Sequence, residues 1–230
     1  MKTRLKYYII IFLLLSGILF AGDMANFVNL GFSSNSRYFM FAQYGVNEQT
    51  SFPYSDFYIV DVPNNKFVTN GVKSSSYNTF AQAGYDGIGA LFSLLENNIS
   101  LINTYSIDHL VTGRILYFLI DGIEPELNLD FRDFIAGNRY IVHLYQSSYG
   151  TGNSISASFY IDLTVISNSG ISRDYQIGLP NYKRTGIKSY RIKQAILAPD
   201  GRSLVFVIEK EELDTTGSNI RYMIETVQLN

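Results

Sequence analysis

"GFSSNSRYFMF", residues 31–41, reads as the middle of a β-hairpin, with a short Ser- and Asn-containing turn between two apolar runs. "AILAPDGRSLVF", residues 195–206, has the same form. Aligned without gaps on Arg37, Arg139 and Arg202, three segments fall into correspondence. Each arginine follows a turn, "SSNS", "IAGN" or "APDG", that is preceded by Phe32, Phe134 or Leu197. Each leads into an apolar strand, "YFMF", "YIVHL" or "SLVFVI". Further on, "FYIVDV" from Phe57, "FYIDLTV" from Phe159 and "YMIETV" from Tyr222 open on an aromatic at the same distance from the arginine. Asn, Asp and Gly tolerate the left-handed backbone of tight hairpins, so the turns support the alignment.

Each unit is therefore expected to be an antiparallel meander of three strands, over residues 27–62, 129–164 and 192–227. Phe, Tyr, Ile and Val suit a pleated surface buried on at least one face. The wider gap between the first two units holds residues 85–104, "YDGIGALFSLLENNISLINT", where Leu91, Leu94, Leu95, Ile99 and Ile102 recur at helical intervals. One inserted α-helix is expected there, followed by a strand in "GRILYFLIDGI", residues 113–123, that ends in an Asp-Gly turn. The fold class is mostly β: repeated meanders in a propeller-like or incomplete propeller arrangement, since propellers usually close with about four to eight blades of roughly 40–45 residues. A two-sheet β-sandwich is the alternative. "SNSGISRD" and "GLPNYKRTG" read as surface loops, and no linker divides residues 22–230 into two domains.

Lys2, Arg4 and Lys6 precede the apolar run "YYIIIFLLLSGILF", which ends before Ala21 and Gly22. This is the pattern of a secretory signal peptide over residues 1–21, cleaved after Ala21. The apolar run covers residues 7–20 and falls short of the ~20 residues a membrane helix needs, and nothing downstream approaches that length, so no membrane span is expected after cleavage. Cleavage would remove three of the eighteen Lys and Arg and none of the twenty Asp and Glu, leaving a formal charge of about −5. Such a chain is not a nucleic-acid binder by composition. It has no cysteine, which closes the lipoprotein route and leaves stability to the core rather than to disulfides. A chain of this size can bury about 70% of its unfolded surface, and 18 Tyr and 16 Phe supply the material.

Residues 31–62, "GFSSNSRYFMFAQYGVNEQTSFPYSDFYIVDV", resemble the opening of a family of bacterial predicted secreted proteins of unknown function. The match rests on Gly31, Phe32, Ser33, Arg37, Tyr38, Phe39, Tyr44, Gly45, Val46, Phe52, Pro53, Tyr54 and Ser55. Asn35 and Ser36 stand where the family tends to have Asp-Gly. "LAPDGRSLVFVIE", residues 197–209, is similar to that family's closing segment, and both ends are similar to the turn-and-strand repeat of TolB-type propellers. The resemblance implies export, periplasmic or secreted, and a β-rich fold. It implies no catalytic residue.

Catalytic chemistry has little material. The two histidines, His109 and His143, are far apart, and with no cysteine they make neither a triad nor a zinc set. No cofactor or metal is expected. Asp130 with Asp133, and Glu124 with Glu126, are the nominal carboxylate pairs for an envelope glycan hydrolase. "GYDGIG" lacks the GKS or GKT ending of a phosphate loop. "KRTGIKSYRIK", residues 183–193, gathers five cations that could meet anionic lipid or polysaccharide, although a solvated strand face explains them more simply. The loop "YGVNEQTSFPYSDF" offers Tyr44, Phe52 and Tyr54 as candidate binding residues; the plainer reading has these aromatics pinning the loop to its sheet. The expectation is an exported, non-enzymatic binding or structural protein of the bacterial cell envelope, whose partner is another envelope protein or a glycan. An outer-membrane β-barrel is a further alternative, disfavoured by strands that are apolar on both faces.

Overall fold

The computed structural model describes residues 22–214 and 217–229. The expected signal peptide lies outside them. Three antiparallel sheets carry the chain. Sheet one joins β1 (Asn26–Ser33), β2 (Tyr38–Val46), β3 (Pro53–Asp61) and β4 (Lys66–Ser76), with the two-residue β5 (Ile107–Asp108) beside β1. Sheet two joins β7 (Asn128–Arg132), β8 (Arg139–Tyr149), β9 (Ser156–Ile166) and β10 (Ser172–Thr185). Sheet three joins β11 (Ile187–Leu197), β12 (Ser203–Asp214) and β13 (Gly217–Gln228), with β6 (Arg114–Phe118) on the β11 edge. The three meanders are thus present, and each sheet is open rather than closed on itself, so the described strands do not form the barrel held as an alternative.

Sheet three is the middle layer. Through Leu204, Phe206, Ile208, Ala195 and Leu197 it packs on Tyr140, Val142, Leu144, Phe159 and Ile161 of sheet two. Through Val205, Val207, Ile196 and Ile224 it packs on Phe32, Phe39, Phe41 and Val60 of sheet one. Face-to-face stacking of small antiparallel sheets is common to propeller blades and to sandwiches. Each large side chain buried this way contributes roughly 1.5–3 kcal/mol relative to exposure. The residues just past Ala21 are also held: Met24 bridges Ile220, and the Ala25 amide donates to the Ile220 carbonyl at 3.1 Å.

The repeat is real in topology and imperfect in register. Arg37 and Arg202 sit one residue before β2 and β12, and Arg139 opens β8. Phe57, Phe159 and Tyr222 are all buried, in β3, β9 and β13. Phe32 faces Phe39 and Leu197 faces Leu204 across tight turns, whereas in sheet two the corresponding pair is Phe131 with Tyr140. The turn of sheet two is two residues longer, and Phe134, read from the ungapped alignment as the counterpart of Phe32, lies in it at 91% exposure.

The insertion is helical, as two helices rather than one: α1 (Ile88–Glu96) and α2 (Ile99–Thr104). The break falls at Asn97-Asn98, where the Asn98 side-chain amide donates to the Leu94 carbonyl at 2.8 Å and occupies an acceptor that a continuing helix would use. Leu91, Leu94 and Ile102 bury against Met40, Ala42, Phe57 and Ile59 on the far face of sheet one, while Ile99 is exposed. Among the described residues no helix is long and apolar enough to cross a membrane. "GLPNYKRTG" is not a loop but the end of β10, carrying a bulge: Leu179 pairs Phe159 and Arg184 pairs Ala157, so five steps of β10 cover two of β9.

Candidate functional site

Of the three aromatic residues read from the sequence as loop residues, only Phe52 lies between β2 and β3; Tyr44 stands in β2 and Tyr54 in β3, and the three face different parts of the molecule. Tyr44 is buried under the helices, its hydroxyl donating to Asp86 Oδ2 at 3.4 Å. Tyr54 packs toward sheet three, with its hydroxyl donating to Asp23 Oδ1 at 3.1 Å and the Arg221 guanidinium 4.9 Å above its ring. Burial pushes the Tyr54 phenol well above its ordinary pKa. Its ring crosses Gly45 so closely that a Cβ there would sit 2.8 Å from the hydroxyl oxygen, which accounts for the glycine in "YGV". Phe52 meets Phe80 edge-on at 5.2 Å, the one contact of the three near the surface.

The five cations of residues 183–193 do not form a common patch. Lys183 lies 3.8 Å from the Tyr149 ring centroid. Arg184 faces Glu225 at 3.7 Å and Lys188 pairs with Glu211 at 2.7 Å. Arg191 pairs with Glu209, and Lys193 with Asp121. Strand alternation and the β11 bulges send them to different neighbours. The histidines are equally separate: Nδ1 of His109 lies 2.6 Å from the Leu30 carbonyl, and His143 stands on β8 beside Asn128 and Tyr145. Asp130 is held by Arg139, and Asp133, almost wholly buried, by Arg114 at 2.5 Å. Among the described residues no group of three or more His, Asp or Glu side chains is gathered as a metal site.

Glu124 and Glu126, by contrast, line a cavity of about 590 Å³. It opens where β6 ends opposite Gln194 and β11 runs on without that neighbour. The linker 122–127 forms one wall; Gln146 of β8, Ser189 to Arg191 of β11, and Glu209 and Glu211 of β12 form the others. Gln146 ties sheet two to sheet three, accepting from the Tyr190 amide at 2.9 Å and donating to its carbonyl at 3.2 Å. Glu209 is buried and ion-paired with Arg191. Glu211 receives Lys188, Ser189 Oγ at 2.8 Å and Ser218 Oγ at 2.6 Å. Burial pushes the Glu211 carboxyl up, yet these donors outweigh it and hold the group below the usual carboxylate range.

The cleft therefore presents fixed carboxylate and carboxamide oxygens around one guanidinium, a surface suited to a ligand rich in O–H or N–H donors. Sequence reading found Glu124 and Glu126 and missed Gln146, Arg191, Glu209 and Glu211. The available signal was the acidic run "EKEE", residues 209–212, which faces the basic run "KSYR", residues 188–191, across one hairpin.

Residues 40–228 match the family described as Predicted secreted protein (DUF2259). No curated protein matches the chain.

Proposed function

The chain belongs to that family of predicted secreted proteins, and on this premise we propose that it is an exported, non-enzymatic binding protein of the bacterial cell envelope, taking a hydroxyl-rich glycan in the cleft beside β11. The observation that carries this reading is the preorganised acceptor set: Gln146, Glu209 and Glu211 are each fixed by named partners around a cavity of about 590 Å³. Acceptors held in place beforehand cost little further ordering when a ligand arrives.

A second reading, an envelope glycan hydrolase, is favoured by one fact: Glu124 and Glu126 line the same cavity as Glu209 and Glu211. Hydrolysis needs one carboxyl kept protonated as general acid. Glu211 is shifted the other way, and Glu209 is engaged by a guanidinium, which weighs toward binding. Calorimetric titration of the purified full chain with soluble cell-wall oligosaccharides separates the two. Saturable binding without new reducing ends is expected, weakened about tenfold by the double change Glu124→Ala with Glu126→Ala, the loss of one or two hydrogen bonds. Failure of every oligosaccharide to bind, or an unchanged affinity in the double variant, removes the binding reading; release of reducing ends transfers the cleft to hydrolysis.

A further inference from the structure

A second cavity, of about 470 Å³, lies where the edges of all three sheets come together. Asn64, Asn65, Lys66 and Phe67 reach it from sheet one, Gly178, Leu179 and Arg184 from β10, and Met223 to Glu225 from β13. The β10 bulge accounts for the arginine, since it breaks the register between Leu179 and Arg184 and brings the guanidinium to Glu225. That guanidinium is set among aromatic rings, with centroids at 5.2 Å for Phe159, 4.9 Å for Tyr182 and 6.0 Å for Tyr190. Its Nη1 is buried and, among the described residues, has no hydrogen-bonding partner of ordinary geometry. A buried donor left unmade is costly, the more so when it is charged.

Glu225 does not meet that need. Its carboxylate stands 3.7 Å from the other guanidinium nitrogen and takes its hydrogen bond from the Asn65 amide instead. Burial pushes the Glu225 carboxyl above its usual range in spite of Asn65 and Arg184, which weakens it as a counter-ion. Lys66 adds a second cation at the rim. The mouth is apolar: Phe67 and Leu179 are 52% and 58% exposed, with Met223 beside them. Gly178 lines the cavity with its backbone at φ +90°, a conformation that favours glycine.

We infer that this cavity binds an apolar monocarboxylate, its carboxylate accepting from Arg184 and its hydrocarbon body lying against Phe67, Leu179 and Met223. Each half of the ligand answers a feature of the cavity: a guanidinium whose carboxylate neighbour among the described residues stands as far as 3.7 Å, and an exposed apolar rim. The site is separate from the cleft beside β11, and neither reading depends on the other.

Octanoate is the probe, titrated calorimetrically into the purified full chain, with octanol as the uncharged control. One octanoate per chain is expected, with octanol at least roughly tenfold weaker, the size of a charge-assisted hydrogen bond. Arg184→Gln should weaken octanoate by at least roughly tenfold. Should that variant fail to fold, Leu179→Glu at an exposed position decides, because it sets a second carboxylate at the mouth and should weaken octanoate to a similar extent. No octanoate binding, octanol binding as tightly as octanoate, or a smaller loss in the variant that decides overturns the proposal.

Discussion

The two outermost sheet faces of the stack have opposite chemistry. On sheet one, Met40, Ala42, Phe57 and Ile59 point outward and are wholly buried beneath α1 and α2. On sheet two the outward positions are Asn128, Asp130, Ile141, His143, Tyr145, Tyr160, Asp162 and Thr164, and among the described residues no element covers them. There the polar side chains pair along the sheet: Thr164 donates to Asp174 at 2.6 Å and Gln176 to Asp162 at 3.3 Å. The difference shows why helices sit on one side only. A sheet apolar on both faces needs a second cover, and one whose strands alternate meets water directly.

The sharpest way to break that contrast is to replace one apolar side chain on each of the two faces. Phe57→Ala, under the helices, should cost about 3–5 kcal/mol through lost burial and the cavity left behind. Ile141→Thr, at a partly exposed outward position of sheet two, should change stability by less than about 1 kcal/mol. Urea unfolding of both variants checks this, and similar losses at the two sites would mean that sheet two is covered in solution.

The contrast is written in the sequence, although alignment on the arginines groups "YIVHL" with the apolar strands and passes over its alternation. "YFMFA" and "SLVFVI" are continuous apolar runs, and both become strands buried on two faces; "YIVHLYQ" alternates, and its strand has one wet face. The meanders were legible for a similar local reason, since turn chemistry and strand composition act within a few residues. What escaped was non-local. β6 precedes sheet two in the chain yet pairs with β11 of sheet three, a choice made by the open edge of β11 and by nothing within "RILYF". The longer turn of sheet two was hidden because an ungapped alignment on Arg139 left Phe134 in a core position. Both cavities are made from the edges of different sheets, so no single stretch carries their signature. The basic run was legible as charge and illegible as pairing, because its partners Glu209, Glu211, Glu225 and Asp121 come from other strands and loops.

A smaller effect tests whether the wet face is organised or merely exposed. Tyr145 stacks on Tyr160 with centroids 4.7 Å apart and planes 8° from parallel, and the His143 ring lies 3.9 Å from that of Tyr145. Tyr145→Ala should cost about 0.5–1.5 kcal/mol, the usual worth of such a pair. The Tyr160 ring resonances should shift in the NMR spectrum at the same time. Unmoved resonances would mean that the rings do not stack in solution.

The smallest expected effect concerns charge on the same face. Asp130 is exposed, and the hydrogen bond from Arg139, opposed by some desolvation and aided by the charges of Arg139 and Arg132, holds its carboxyl below the ordinary aspartate value of about 3.9. A carboxyl depressed in the folded state adds stability above its unfolded pKa and loses it as pH falls through the folded one. The contribution of this pair should therefore be constant at neutral pH and disappear only in strong acid. Solvent screens an exposed pair, so the effect belongs in the titration curve rather than in the unfolding midpoint. Carbon-detected NMR of the Asp130 carboxyl should place its midpoint below the ordinary value, and Arg139→Gln should return it upward while leaving neutral-pH stability nearly unchanged. If Arg139→Gln instead lowered stability as much as a buried substitution does, the outward face of sheet two would be a protected surface, and its polarity would then mark an interface rather than contact with water.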